Sequence, residues 1–223
     1  MITNTAFRMT IDPGLLTLAQ WLSPAFPIGG FAFSHGLETA IKDSWIHDAD
    51  SLQDWLRSLL EDGSGRADAI WLVLAMGAVD EAAVTHLDAE ARAFQPSRER
   101  LRESLLQGDA FARLVRPVWR LDIPATTLPI AVGRAASLRG LGPQETAALY
   151  LQGFVSNLVS AAVRLVPLGQ TEGQAVIAAL APLCLKVASE AVGATADDIY
   201  SNCFLSDVAA MRHETQEPRL FQS

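Results

Sequence analysis

An all-α fold in one compact domain, with about nine or ten helices, is what this 223-residue sequence predicts. Three observations lead there. Apolar residues recur at i, i+3 and i+4 through most segments between breakers, which is the spacing of one helix face. Alternating β-branched runs are absent, so no strand is predicted. Proline, glycine and capping residues punctuate the ends of most periodic segments. No low-complexity linker or change of composition divides the chain, so residues 1–223 read as one domain.

Asp12-Pro13 reads as an N-cap followed by proline in the first turn, opening a helix to Leu22. Ser23 to Gly30 breaks it, with prolines at 24 and 27 and glycines at 29 and 30. A helix over Ser34–Lys42 follows, with Ser34 as cap. Asp50 is the expected cap of the next one, in a capping box with Gln53, and Leu52, Trp55, Leu56, Leu59 and Leu60 share a face. Asp62-Gly-Ser-Gly65 ends it. Ala67 to Val79 is apolar nearly all round, which for a helix means a central position. Glu81–Phe94 is amphipathic. Pro96-Ser97 begins a helix to about Leu121, which Pro117 should kink or stop early. Pro129–Leu138 is shorter and closes at Gly140 and Gly142. Pro143 opens the longest helix, to about Leu165, with Leu151, Val155, Leu158, Ala162 and Leu165 down one face. Small residues Ser156, Ser160 and Ala161 beside that face allow another helix to approach. Pro167-Leu-Gly169 turns the chain into a helix over Thr171–Val192, bent near Pro182. Residues 193–204 read as loop, and Asp207–Gln216 as a last short helix.

Composition narrows the function. Half the residues are apolar and only 19% are charged, against about 25% in typical soluble domains. Apolar surplus that is not core lies on faces meant for other proteins. The net charge of -8 repels phosphates, and no basic run interleaves with aromatics, so nucleic acid is excluded as a main partner. The apolar run 69–79 is too short for a bilayer, and Gln152, Asn157 and Arg164 interrupt the stretch 147–168. Met1–Arg8 lacks a signal-peptide core. The expectation is a cytoplasmic protein with no membrane partner. Cys184 and Cys203 give no disulfide or zinc spacing, and Cys184 reads as a buried thiol.

No catalytic constellation emerges from spacing. There is no P-loop, and no strand to carry a nucleophile elbow. Ser34 and His35, as neighbours on a helix, would point about 100° apart. A hydrolase using His35 or His213 is the weakest reading. A transition-metal site is the stronger competitor, with Cys203, Asp207, His213 and Glu214 as donors or His35 and Glu38 as an i, i+3 pair. The unusual feature is the cluster Pro27-Ile-Gly-Gly-Phe31 followed by Ser34-His-Gly-Leu-Glu38. Glycines at 29, 30 and 36 around Phe31 and Phe33 point to backbone in close approach to another surface.

The stretch Leu18-Ala-Gln-Trp-Leu-Ser-Pro-Ala-Phe-Pro-Ile-Gly-Gly-Phe-Ala-Phe-Ser-His-Gly-Leu-Glu38 resembles the opening signature of the UreF family of urease accessory proteins. Three further blocks are similar: Asp50–Leu60 with its Trp55-Leu56 pair, Ala161–Gln170, and the tail Ala209–Ser223 with Met211-Arg-His-Glu214 and Arg219-Leu-Phe221. Leu128 departs from the pattern, in which a histidine precedes the proline, and Pro218 is unusual for the tail. The resemblance implies an all-α homodimer that is not an enzyme and binds no cofactor directly. Its implied partners are UreD (also called UreH), the GTPase UreG and apo-urease, with GTP and nickel handled by those proteins. It also implies a scaffold for nickel insertion, with regulation of UreG hydrolysis proposed within the family; the alternative is a helical metallochaperone that binds nickel itself. Candidate partner-binding residues are Gly29, Gly30, Phe31, Phe33, Ser34, His35, Gly36, Glu38, Arg164, Gly169, Gln170, Met211, Arg212, His213, Glu214, Arg219, Leu220 and Phe221. The tail, about residues 208–223, is expected to order against UreD with Leu220 and Phe221 as apolar anchors. Its deletion (210–223) should spare the helical signal and end co-purification.

Overall fold

The computed structural model describes residues 12–223, so the reading of Met1–Arg8 lies outside the described residues. Among the described residues there are ten α-helices, two 3-10 turns and no strands. The helices are α1 (Pro13–Trp21), α2 (Leu37–Lys42), α3 (Ala49–Asp62), α4 (Ser64–Gly77) and α5 (Glu81–Ala93), then α6 (Arg98–Trp119), α7 (Leu128–Leu138), α8 (Pro143–Leu165), α9 (Gln170–Val192) and α10 (Phe204–His213). The all-α reading is the observed class.

α4 is the axis. It packs against α3, α5, α7, α8 and α9, and its apolar circumference follows from having neighbours on nearly every side. Both its ends differ from expectation: the helix begins at Ser64, inside the expected 62–65 break, and stops at Gly77, with Val79 89% exposed. α8 and α9 form a long antiparallel pair beside it. Gly173 of α9 lets the pair close, since a Cβ there would meet methyls of Val159 and Val163 at 3.1 Å. Gly133 of α7 does the same against α4, where a Cβ would collide with the Leu72 carbonyl. By contrast, Ser156 and Ser160 of α8 stay only partly covered. Both α8 and α9 are long and apolar enough to cross a membrane, yet α8 is half buried and contributes Leu151, Val155, Leu158 and Ala162 to the core.

Further boundaries correct the sequence reading. α3 is capped by Asp48, whose carboxylate accepts the Ser51 N–H at 2.8 Å, rather than by Asp50. α6 runs through Pro117 to Trp119 and ends at Arg120, which adopts φ 57°. Pro117 sits in the last turn of α6, and both it and Arg113, whose carbonyl it cannot satisfy, are exposed residues. α2 begins at Leu37, not Ser34. His35 and Gly36 both take left-handed φ, at 58° and 78°, so Ser34 lies before the helix, although its hydroxyl still accepts the Glu38 N–H at 3.3 Å. Gly36 is needed twice over, because a Cβ there would also lie 2.9 Å from the Ala210 backbone nitrogen of α10. α10 itself starts at Phe204, three residues earlier than expected.

Candidate functional site

The glycine–aromatic segment and the tail, far apart in sequence, form one unit. Gln222 N–H donates to the Ala32 carbonyl at 2.8 Å and Ser34 N–H to the Ser223 carbonyl at 2.9 Å, a short strand-like pairing. The Ser34 hydroxyl donates to the same Ser223 carbonyl, and His35 N–H reaches the Ser223 hydroxyl at 3.3 Å. Glu38, in the first turn of α2, accepts the backbone N–H groups of Leu220 (2.8 Å) and Phe221 (2.9 Å), one on each oxygen. Charge-assisted bonds of this kind are the stronger class.

His213, at the end of α10, is fully buried between two carboxylates. Its Nδ1 lies 2.6 Å from Glu99 of α6 and its Nε2 3.3 Å from Glu38. Arg219 adds a second contact to Glu99 at 2.5 Å, and Gln216 accepts from the Thr39 hydroxyl at 3.0 Å. Glu214 accepts from the Arg98 side chain and backbone N–H, so it caps α6, and that guanidinium holds its carboxyl below the usual range. Arg212 pairs with Asp43 at 2.6 Å. Arg164 spans the unit from α8, with its guanidinium carbon 5.6 Å from the Phe31 ring and 5.5 Å from the Phe221 ring.

The predicted residues therefore divide. Phe33, Ser34, His35, Gly36, Glu38, His213 and Phe221 are buried within the chain. Gly29, Phe31, Arg164, Met211, Arg212, Arg219 and Leu220 face outward, with Gly30 and Glu214 between. The start of α9 stands apart: Gly169 gives its N–H to Glu172, Gln170 is exposed, and neither bonds to the tail. Phe221 turns inward. It is 6% exposed and packs on its own chain, whereas its neighbour Leu220 is 79% exposed.

The metal and nucleophile readings meet the same test. His35 is not on a helix, and its Nε2 lies 2.7 Å from the Ser64 hydroxyl, far from any i, i+3 partnership with Glu38. Burial, reinforced by the Arg100 charge, holds its imidazole well below the ordinary range. Cys203 donates to the Ser58 carbonyl at 3.0 Å, and burial pushes its thiol up to about 11. Asp207 turns to Ser201, and Glu214 to Arg98. Among the described residues no three His, Cys, Asp or Glu side chains are placed to hold a metal ion.

Sequence reasoning missed a buried polar seam beneath this unit. The Ser223 hydroxyl donates to Glu103 at 2.7 Å, and Glu103 pairs with Arg100 one turn earlier on α6. Beyond them, Tyr150 donates to Asp68 of α4 at 2.8 Å. Burial raises the Asp68 carboxyl to about 6, against the opposing pull of Arg100 and the Tyr150 hydrogen bond. The same burial, with the Asp68 charge, drives the Tyr150 phenol well above its usual range. Asp68, Arg100, Glu103 and Tyr150 floor an open cleft between α1, α6 and α8, walled by Trp21, Phe26, Phe111 and Phe154. A lone acid inside the apolar run 67–79 is the one sequence signal for it.

Comparison with known proteins bears on the whole chain. A profile of the family described as UreF matches residues 46–181. The protein from Roseobacter denitrificans called urease accessory protein UreF is 51% identical over 223 residues, the full length of both chains. Namesakes from Cereibacter sphaeroides (52% over 213 residues, 96% of this chain and 100% of the relative) and a Bradyrhizobium species (44% over 222 residues, 95% and 92%) agree. The full-length matches take in both the glycine–aromatic segment and the tail, which lie outside the profile. With family profile, full-length relatives and an all-α fold in accord, the chain belongs to the UreF family.

Proposed function

We propose that this protein serves urease maturation as a non-catalytic scaffold. It joins UreD (UreH) to the GTPase UreG, acts as a homodimer, and presents the assembly to apo-urease for nickel insertion. Nickel is cargo here, and GTP belongs to UreG. The observation that carries the reading is the unit formed by residues 29–38 and the tail. Its buried members fix a rigid backbone, while Phe31 (50% exposed), Arg164 and Leu220 are left outward around it. An aromatic, an arginine and a leucine held on a preorganised frame suit a protein interface better than turnover. The partner-facing role thus falls to the outward residues, and the buried ones support them.

Co-purification of the full-length protein with co-expressed UreD and UreG tests this. Phe31→Glu and Leu220→Glu should each abolish capture of UreD while leaving the helical signal intact. Unchanged capture by both would overturn the assignment. Truncation at residue 210 is the poorer experiment, because it also leaves the carboxylates of Glu38, Glu99 and Glu103 without their tail donors and so does not isolate the outward residues. Gating of nickel release by GTP further requires unequal affinity of the UreD complex for GTP- and GDP-loaded UreG. Equal affinities would end the gating account.

A further inference from the structure

The cleft between α1, α6 and α8 has a use that the assembly role does not require. Its walls are aromatic: Trp21 and Phe111 pack edge to face at 5.4 Å, and Phe26 lies 5.7 Å from Phe111. Its floor is polar, with Asp68, Arg100, Glu103 and Gln107 all buried to more than nine-tenths and all lining the same space. Asp68 uses one oxygen, Oδ2, to accept from Tyr150. Its other oxygen, Oδ1, receives no hydrogen bond from any described residue, and it is not among the sealed, unpartnered atoms of the interior. Gln107 gives its amide N–H to Glu103, and its carbonyl oxygen likewise takes no donor. Two acceptors on residues that line the cleft are therefore unfilled.

Charge narrows the occupant. Two carboxylates, Asp68 and Glu103, stand against one guanidinium, and Arg100 gives its Nη1 to Glu103. An anion would meet a net negative floor. A neutral apolar molecule would strip water from the Asp68 carboxylate and leave it unpaired, which is costly. A cation on an apolar body answers both parts of the site, with its charge at Asp68 and its body among rings whose faces attract cations.

We propose that this cleft binds an organic cation, an amine or guanidine carried on a flat apolar body, with its N–H groups donating to Asp68 Oδ1 and Gln107 Oε1. The same chemistry can come from a free ligand or from a basic side chain of another protein. Calorimetric titration of the full-length protein at pH 7.5 with phenylguanidine tests it, with phenylurea as the uncharged counterpart and acetyl-Gly-Arg-Gly-amide as the side-chain form. The expected result is one site for phenylguanidine and at least tenfold weaker binding of phenylurea. Asp68→Asn should cost phenylguanidine at least tenfold and leave phenylurea unchanged. Tighter binding of the arginine peptide than of phenylguanidine assigns the site to a protein side chain, and weaker binding assigns it to a free ligand.

A pH series on the unmodified protein removes dependence on the variant. The groups around Asp68 are Tyr150 from α8, Arg100 and Glu103 from α6, and His35 from the loop before α2. Since burial puts the Asp68 carboxyl at about 6, phenylguanidine affinity should fall about tenfold from pH 7.5 to pH 5.0. Absence of binding, equal binding of phenylurea, or full affinity in Asp68→Asn would each overturn the proposal.

Discussion

Replacing Asp68 by asparagine should make this protein more stable, and the gain should depend on pH. The folded carboxyl titrates at about 6 and the ordinary aspartate value is 3.8, because burial in the α4 core outweighs the attraction of Arg100 and the Tyr150 hydrogen bond. A carboxyl whose folded value is raised binds its proton more tightly in the folded state. Stability is therefore highest at low pH, falls as pH rises from about 4 to about 6, and stays low above that. The interval of roughly two pH units corresponds to about 3 kcal/mol at neutral pH. Asparagine imitates the protonated form and can still accept from Tyr150, so the Asp68→Asn variant should gain up to about 3 kcal/mol at pH 7.5. At pH 4 the gain should shrink below about 1 kcal/mol. For a chain of this length that is a rise of about 6–12 °C in Tm at pH 7.5. Urea unfolding of both proteins, followed by circular dichroism at several pH values, measures it. A variant no more stable at pH 7.5, or a difference that does not change with pH, would refute the argument that Asp68 is buried without a full counter-charge.

Other residues give equally specific expectations. Gly36→Ala places a Cβ at φ 78° and 2.9 Å from the Ala210 backbone, and should cost at least about 2 kcal/mol. Gly140→Ala, at φ 63° with nothing within 4 Å, should cost only about 1 kcal/mol; equal losses in thermal unfolding would sink the α2–α10 contact argument. Glu38→Gln retains one acceptor oxygen where two backbone N–H groups donate, leaving one of them unpaired at a cost of about 1–3 kcal/mol. Hydrogen exchange at Leu220 and Phe221 should quicken by about ten- to a hundredfold while the α8 amides keep their protection.

Local rules make most of the helices legible. Asp12-Pro13, Pro143 and the Pro167–Gly169 turn mark their elements in the sequence, and α8 begins and ends where periodicity predicts. Failures come where two local rules compete or a distant element decides. Asp48 and Asp50 are both capping residues, and the reciprocal bonds of Ser51 select the first. Ser34 resembles a cap, but the approach of α10 requires a left-handed turn at His35 and Gly36. The candidate site is half legible for the same reason. Both blocks stand out in the sequence, yet nothing local says that Glu38 binds the backbone of Leu220 and Phe221, or that Phe221 turns inward. Nothing local marks Arg100 and Glu103, one turn apart on α6, for burial, and only tertiary packing buries them.

The pairing of Ser34 with Ser223 also bears on the order in which the molecule assembles. It closes a loop between residues 189 apart in sequence, and the Glu38–His213 contact spans 175. Loop-closure entropy grows with the logarithm of length, so this closure costs about 2 kcal/mol more than that of a loop of about twenty residues. Hairpin-like neighbours such as α8 and α9 meet without that penalty. The helical core is thus expected to consolidate first and the tail to dock afterwards onto a surface already formed. Pulse-labelled hydrogen exchange during refolding would show amides 220–223 gaining protection after those of α4 and α8; simultaneous protection would contradict this order. A segment that docks last is also the one that leaves at least cost, so the intact helical core can release its outer binding surface without itself unfolding.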